Sequence, residues 1–254
     1  MMYNDAHPDG KGDSYRGHSK GAVVFDKSSG FWLIHSVPNF PHPESYTYPD
    51  SGYNNGQSFL CITFNASAIP ILASHFTYTM PSIYNSQLPT ELAIEHPMLQ
   101  DIIAKKSLPR GTSVFQIVQT IQSISGFPFI MLGKHKKFNA DLYADLLASH
   151  LTCSFFTETW PNGATNFPNT CNTTNKDVYN IDSIKIENVI EFPNTKDHSK
   201  WAVAETLECG YVCIGDINRQ ISQRKRAGGT VCLQNPLIWQ LYRSSINEVE
   251  TCAL

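Results

Sequence analysis

The tripeptide pattern His-x-Lys occurs three times in this chain, at His18-Ser19-Lys20, His135-Lys136-Lys137 and His198-Ser199-Lys200. The first and third are identical, and their surroundings correspond. Each is followed by a strand-like segment and then by a second one that ends in a polar turn, Phe31–Asn39 in the first case and Tyr211–Asn218 in the second. Asn39 lies 21 residues beyond His18, and Asn218 lies 20 beyond His198. On a strand, residues two apart point to the same face, so a His and a Lys at this spacing enter a site together. Two such pairs meeting about a pseudo-twofold axis set two imidazoles on opposite sides of one phosphate. A neutral imidazole attacks phosphorus and forms a phosphohistidine, while a protonated one gives its proton to the leaving oxygen. Lys20 and Lys200, with Asn39 and Asn218, would hold the non-bridging oxygens where negative charge builds up. This is phosphodiester cleavage that asks for no metal and no organic cofactor. One histidine must be neutral and the other charged, so the rate should be bell-shaped in pH. The residues leave open which histidine attacks.

Other constellations are poorer. His135-Lys136-Lys137 lacks a following strand and asparagine turn and reads as a basic strand end. Cys209 and Cys213 lack a second ligand pair at zinc spacing. No phosphate-binding Walker loop, Gly-x-Ser-x-Gly elbow or His-Glu-x-x-His helix is present in the sequence. Arg224-Lys225-Arg226, just before Gly228-Gly229, is a basic loop that either holds a nucleic-acid backbone or is a solvated turn.

The elements that must position these residues are mixed. Residues 1–17, polar and rich in Gly, Pro and Asp, read as a loop. Strands are predicted over 21–26, 31–37, 58–64, 113–122, 128–132, 152–159, 181–189, 201–204, 211–214 and 230–233. Helices are predicted over 90–106, interrupted at Pro97, over 139–151 with Asn139 as N-cap, and over 236–246. Interleaved strands and helices make this an α+β (mixed α/β) protein.

The 254 residues are enough for one large domain or two intimate halves. With 41% hydrophobic and 16% charged residues, the composition is that of a globular chain. No apolar run approaches the roughly 18 to 20 residues of a membrane span, so no membrane partner is expected. Net charge is −3 with the nine histidines neutral, which looks wrong for a binder of polyanions. Protonating all nine would carry the balance to about +6, so acidification would favour nucleic acid. Seven cysteines and two sequons, Asn65-Ala66-Ser67 and Asn172-Thr173-Thr174, suggest an oxidising, secretory environment with Asn65 and Asn172 as glycosylation candidates.

Several stretches resemble deoxyribonuclease II, an acid nuclease of the phospholipase D-like superfamily. They are residues 16–21, 30–41, 197–201, 215–219 and 228–232, with 77–79 and 141–143 also familiar, and the resemblance runs from about Tyr3 to Cys252. It implies a phospholipase D-like pseudo-dimer of two sheet-and-helix halves, 1–111 and 112–254, with one active site between them. It implies a catalytic quartet of His18, Lys20, His198 and Lys200, with Asn39, Asn218 and His35 binding substrate. DNA would be cut at acid pH, without metal, to leave 3′-phosphate and 5′-hydroxyl ends, in a lysosomal or secreted setting. The resemblance also implies disulfides Cys171–Cys252 and Cys213–Cys232, with Cys153 and Cys209 as a third pair, and leaves Cys61 over. Family members carry a signal peptide and several sheet elements before the first motif, whereas Met1–Asp5 shows no apolar leader. The first half is therefore expected to be short at its N-terminal end, with the partner of Cys61 in the segment it lacks. Three alternatives stand beside this reading: an impaired, secreted relative that binds DNA or a partner protein without cutting, a lipid phosphodiesterase, and an unrelated domain. Both a monomer and a homodimer, in which a partner shields the open sheet edge, fit the sequence.

Overall fold

The structure, a computed structural model, describes residues 1–163, 165–172, 176–187 and 189–252. It is mixed α+β, built on two sheets. The first has the order β4-β3-β2-β1-β5, from β1 (Met2–Asn4), β2 (Lys20–Phe25), β3 (Ser29–His35), β4 (Phe59–Asn65) and β5 (Ile83–Asn85). Residues 1–17 are thus more than a loop. A three-residue strand carries too little sequence pattern to be read, yet β1 is an inner strand, pairing β2 on one side and the edge strand β5 on the other.

The second sheet draws on β6 (Gln116–Gln122), β7 (Pro128–Lys134), β8 (Phe155–Glu158), β9 (Val178–Ile186), β10 (Ile190–Pro193), β11 (Trp201–Ala204), β12 (Tyr211–Gly215), β13 (Gly228–Gln234) and β14 (Ile246–Val249). Their order is β10-β9-β8-β11-β12-β13-β7-β6, with β14 on β9. The pairing is antiparallel except between β8 and β9. Alternation along the central strands divides the core by face. Trp201, Val203, Val212 and Ile214 form one cluster, which the helix Pro236–Ser244 covers with Trp239 and Tyr242. Ala202, Ala204, Cys213 and Cys232 face another, filled by Leu142, Tyr143, Leu146 and Leu147.

A third cluster joins the two sheets. The helix α1 (Ile69–Thr79) lies between them, with Leu72 and Phe76 in one cluster with Trp32 and Ile62 from the first sheet and Met131, Val231 and Leu233 from the second. The sequence carries little signal for this helix. Its less covered face mixes Pro70, Ile71 and Tyr78 with Ser74 and Thr77, while His75 and Thr79 are buried with Ile69, Leu72, Ala73 and Phe76. Apolar and polar side chains therefore do not separate at a 3.6-residue period.

Around residue 97 the expected single helix is two, α2 (Thr90–Glu95) and α3 (Pro97–Ile103), separated at His96 because Pro97 cannot continue a helix. Asn139 is not an N-cap. It takes a left-handed conformation with φ 53°, and the cap is Asp141, whose carboxylate accepts from Tyr143 N at the head of a wide-turn helix over Leu142–Ala148. Three disulfides, Cys153–Cys209, Cys171–Cys252 and Cys213–Cys232, staple the C-terminal portion, the last directly across β12 and β13. Cys61 is a free, exposed thiol on the edge strand β4. Asn65 and Asn172 are exposed, while Thr173 and Thr174 of the second sequon lie outside the described residues.

Candidate active site

Each His-Ser-Lys tripeptide leads into a strand that turns back as an antiparallel hairpin. Lys20 opens β2, which pairs β3; Lys200 immediately precedes β11, which pairs β12. Each histidine is held by the opposite end of the chain. His18 N donates to Ala227 O at 2.8 Å, and its Nδ1 lies 2.7 Å from Asp216 O. His198 N donates to Gly56 O at 2.8 Å, where residues 56 and 197 form an isolated bridge. The His198 ring packs edge-on against Trp160 with centroids 4.1 Å apart, and the Gln57 amide is 3.5 Å from its Nδ1.

The two motifs share one electrostatic environment. Lys20 and Lys200 act on each other and on both histidines. Asp5, at the end of β1, ties them further. One carboxylate oxygen accepts from Lys20 Nζ at 2.6 Å, while the other accepts from an Arg226 guanidinium nitrogen at 3.2 Å and lies 3.7 Å from His18 Nε2. Burial pushes the Asp5 carboxyl up, but Lys20, His18 and Arg226 together outweigh it and hold it well below the usual carboxylate range.

Burial depresses both imidazoles, and the nearby lysines add to it. His18 falls to about 3 and His198 to about 4. Burial, helped by Lys20, also brings the Lys200 ammonium down to about 7, against the pull of Asp197, Asp5 and Glu158. Asp216 moves the other way, lifted by burial to about 7 in spite of Lys20. Glu158 is fully buried with neither oxygen partnered among the described residues. Burial first, and Asp197 second, push its carboxyl well above the usual range.

The other anticipated residues are placed differently. Asn218 is buried with its Oδ1 unpartnered among the described residues. Asn39, at φ 62°, spends its amide on His7 O at 2.8 Å. His35 sits between the rings of Phe40 and Phe59 with both ring nitrogens buried and unpartnered, and burial lowers its pKa to about 3, with Lys20 contributing. Arg226 belongs to the cluster and was visible only as part of a basic loop, while Asp5, Gln57, Glu158, Trp160 and Asp216 belong to it but escaped the sequence reading. Of the latter, only Asp216, two residues before Asn218 in the turn already singled out, left a signal.

Two His-Ser-Lys motifs on an α+β frame thus bring two lysines and two imidazoles into one electrostatic environment. A family model for Deoxyribonuclease II matches residues 1–252. Cell-death-related nuclease 7 of Caenorhabditis elegans is 40% identical over 252 residues, covering 99% of this chain and 68% of that protein. Plancitoxin-1 of Acanthaster planci is 39% identical over 256 residues, 99% of this chain and 71% of its own. Human deoxyribonuclease-2-beta is 33% identical over 259 residues, 99% and 70% respectively. The chain belongs to the deoxyribonuclease II family. It is accordingly a nuclease whose substrate is DNA. No helix among the described residues is long and apolar enough to cross a membrane.

Proposed function

We propose that this protein is an acid endonuclease that cleaves DNA without a metal, through a phosphohistidine intermediate. The reading treats 1–111 and 112–254 as two phospholipase D-like halves contributing one motif each. The carrying observation is that each catalytic histidine is anchored by the other half, His18 by Asp216 and Ala227 and His198 by Gly56.

The roles follow from protons. Nδ1 of His18 donates to the Asp216 carbonyl, so its free lone pair is on Nε2, and with a pKa of about 3 it stays neutral in mild acid. His18 is the nucleophile. His198 is the acid: its Nδ1 has only a long contact to Gln57 at 3.5 Å, and its Nε2 has no partner among the described residues, free to meet the leaving oxygen. The Gln57 amide can serve its Nδ1 in either protonation state by turning over. His18 Nε2 attacks phosphorus, the P–O5′ bond breaks, and O5′ takes the His198 proton. Water, deprotonated by His198, then opens the P–N bond and leaves a 3′-phosphate. Lys20, Lys200 and Asn218 hold the non-bridging oxygens, with Asn39 and His35 supporting the loop and strand behind them.

The pH dependence has a definite sign. A lysine with a depressed pKa is charged only below that pKa, and a carboxyl with a raised one is neutral only below its own. Below about pH 7, therefore, Lys200 gains its charge and Asp216 loses its charge, both in favour of phosphate. Activity should fall with rising pH as His198 deprotonates and should steepen above about pH 7. In Asp216→Asn the limb above pH 7 in a plot of log(kcat/KM) should lose about one unit of slope. An unaltered limb removes Asp216 from the titration.

Three disulfides favour a lysosomal or secreted setting, where such bonds persist and sequons are glycosylated. The deciding experiment is plasmid nicking at about pH 5 in excess EDTA, with the ends tested for polymerase extension before and after phosphatase. Metal-independent nicking with ends that extend only after phosphatase is expected. A divalent-metal requirement, or 3′-hydroxyl ends, overturns the mechanism. DNA binding with no cutting supports the impaired relative instead.

A further inference from the structure

A basic surface adjoins the active site and is built in an unusual way. Lys134, at the end of β7, is fully buried, and its ammonium donates to three carbonyls of one turn: Gln223 at 2.9 Å, Arg224 at 3.1 Å and Arg226 at 2.6 Å. The turn over residues 221–226 is wrapped around a cation, so its backbone faces inward and Arg224 and Lys225 are left exposed. Its flanks are stitched to two neighbours. Arg224 Nε donates to Asn139 O at 2.9 Å, closing it onto the short helical turn Lys136–Phe138. Arg226 Nε donates to Arg16 O at 2.8 Å, two residues before His18, which itself donates to Ala227 O.

The turn at 136–138 adds cations held by aromatic rings. Lys136 Nζ stands 3.0 Å from the centroid of Tyr15, whose ring is 65% exposed, and Lys137 Nζ stands 5.5 Å from that of Phe115. Such contacts fix the ammonium groups in place and reduce the entropy lost when they bind an anion. Burial lowers His135 to about 4, and Lys136, Lys137 and Lys134 add to the shift. Among the described residues, none of Lys136, Lys137, Arg224 and Lys225 has a carboxylate within ion-pair distance, whereas Lys11, Lys20, Lys27, Lys106, Arg219 and Arg226 each do. In a chain of net charge −3, four unneutralised cations on two stitched turns are a concentration of charge.

We propose that Lys136, Lys137, Arg224 and Lys225 form a phosphate track, along which the DNA backbone continues beyond the scissile phosphate held between His18 and His198. This extends the nuclease reading and rests on it. The track contacts phosphates alone and so binds without sequence preference. Because Lys200 and Asp216 lie outside the track, it should hold DNA at a pH where cutting has ceased.

The test is fluorescence anisotropy with a labelled 24-base-pair duplex in EDTA, at about pH 5 and pH 7.5, across a salt series. The proteins compared are His198→Ala and the same chain carrying K136Q, K137Q, R224Q and K225Q. Binding is read without cutting, so a failure here is distinct from a failure of the nicking experiment. With four contacts removed, the slope of log Kd against log salt should fall by about 3.5, with affinity at least about tenfold weaker at both pH values. Should the four-fold variant not melt cooperatively, R224E and K225E singly, both on exposed side chains, are measured instead and should each weaken binding severalfold. An unchanged slope and affinity in variants that melt normally overturns the track.

Discussion

In His18→Ala, cleavage at about pH 5 should fall by at least about 10⁴-fold, on plasmid DNA and on bis(4-nitrophenyl) phosphate alike. The nucleophile is needed whatever the leaving group. In His198→Ala the two substrates should separate. DNA, whose departing alkoxide needs a proton, should lose about 10² to 10⁴-fold, as is usual for a general acid. The nitrophenyl diester, whose leaving group departs as a stable anion, should still release its first equivalent of nitrophenolate. The variant should then stall as a phosphorylated protein, because in the proposed mechanism His198 also activates the water that completes the cycle. Mass spectrometry of the acid-labile adduct would place the phosphoryl group on His18. An adduct on His198 in the unsubstituted protein, or equal losses for both substrates in both variants, would reverse or remove the assignment made from the Asp216 carbonyl.

The second large effect lies outside the chemistry. The Arg219 guanidinium is buried and donates to Asp141 Oδ2 at 2.9 Å, Asn180 Oδ1 at 2.6 Å and Pro168 O at 2.9 Å. Asp141 in turn caps the wide-turn helix over 142–148, and Tyr143 donates to Ile217 O at 2.7 Å. This network holds the 216–219 turn that presents Asp216 and Asn218. Arg219→Met would leave Asp141 as an unpaired buried carboxylate, at a cost of about 3–5 kcal/mol. For a chain of this size that corresponds to a melting temperature roughly 6–20 °C lower. Combining it with Asp141→Asn should recover part of the loss by removing the stranded charge. Additive losses in the double variant would show that the pair is not coupled.

What the sequence made legible divides along a physical line. The motif residues could be found because their spacing is local: His18 with Lys20, His198 with Lys200, each followed by a hairpin with a turn at its end. The strands 201–204 and 211–215 were readable because one of their faces carries Trp201, Val203, Val212 and Ile214. Asp5 could not be found, since its role depends on a three-residue strand pairing β2 and β5 and on Arg226, more than two hundred residues away. Trp160 and Gln57 meet His198 only through tertiary packing. Asn139 misled because a left-handed asparagine and an N-capping asparagine look alike in sequence, and only Asp141 two residues on makes the capping bond. The basic turn at 224–226 was visible as composition, but not the buried Lys134 that turns its side chains outward.

The way α1 is covered bears on how such a nuclease is made. Its two faces are closed by the first sheet and by Met131, Val231 and Leu233 of the second, and His18 waits on the carbonyl of Ala227. While a ribosome is still delivering the chain, Lys20 can open its strand and β3 can fold back onto β2, but the helix behind them stays bare. The first imidazole gains its backbone anchor only once residue 227 has emerged, after the second His-Ser-Lys at 198–200 has already been made. A nascent chain of this sequence therefore carries its first His-Ser-Lys without its backbone anchor until the strand pair around residue 227 can close on it.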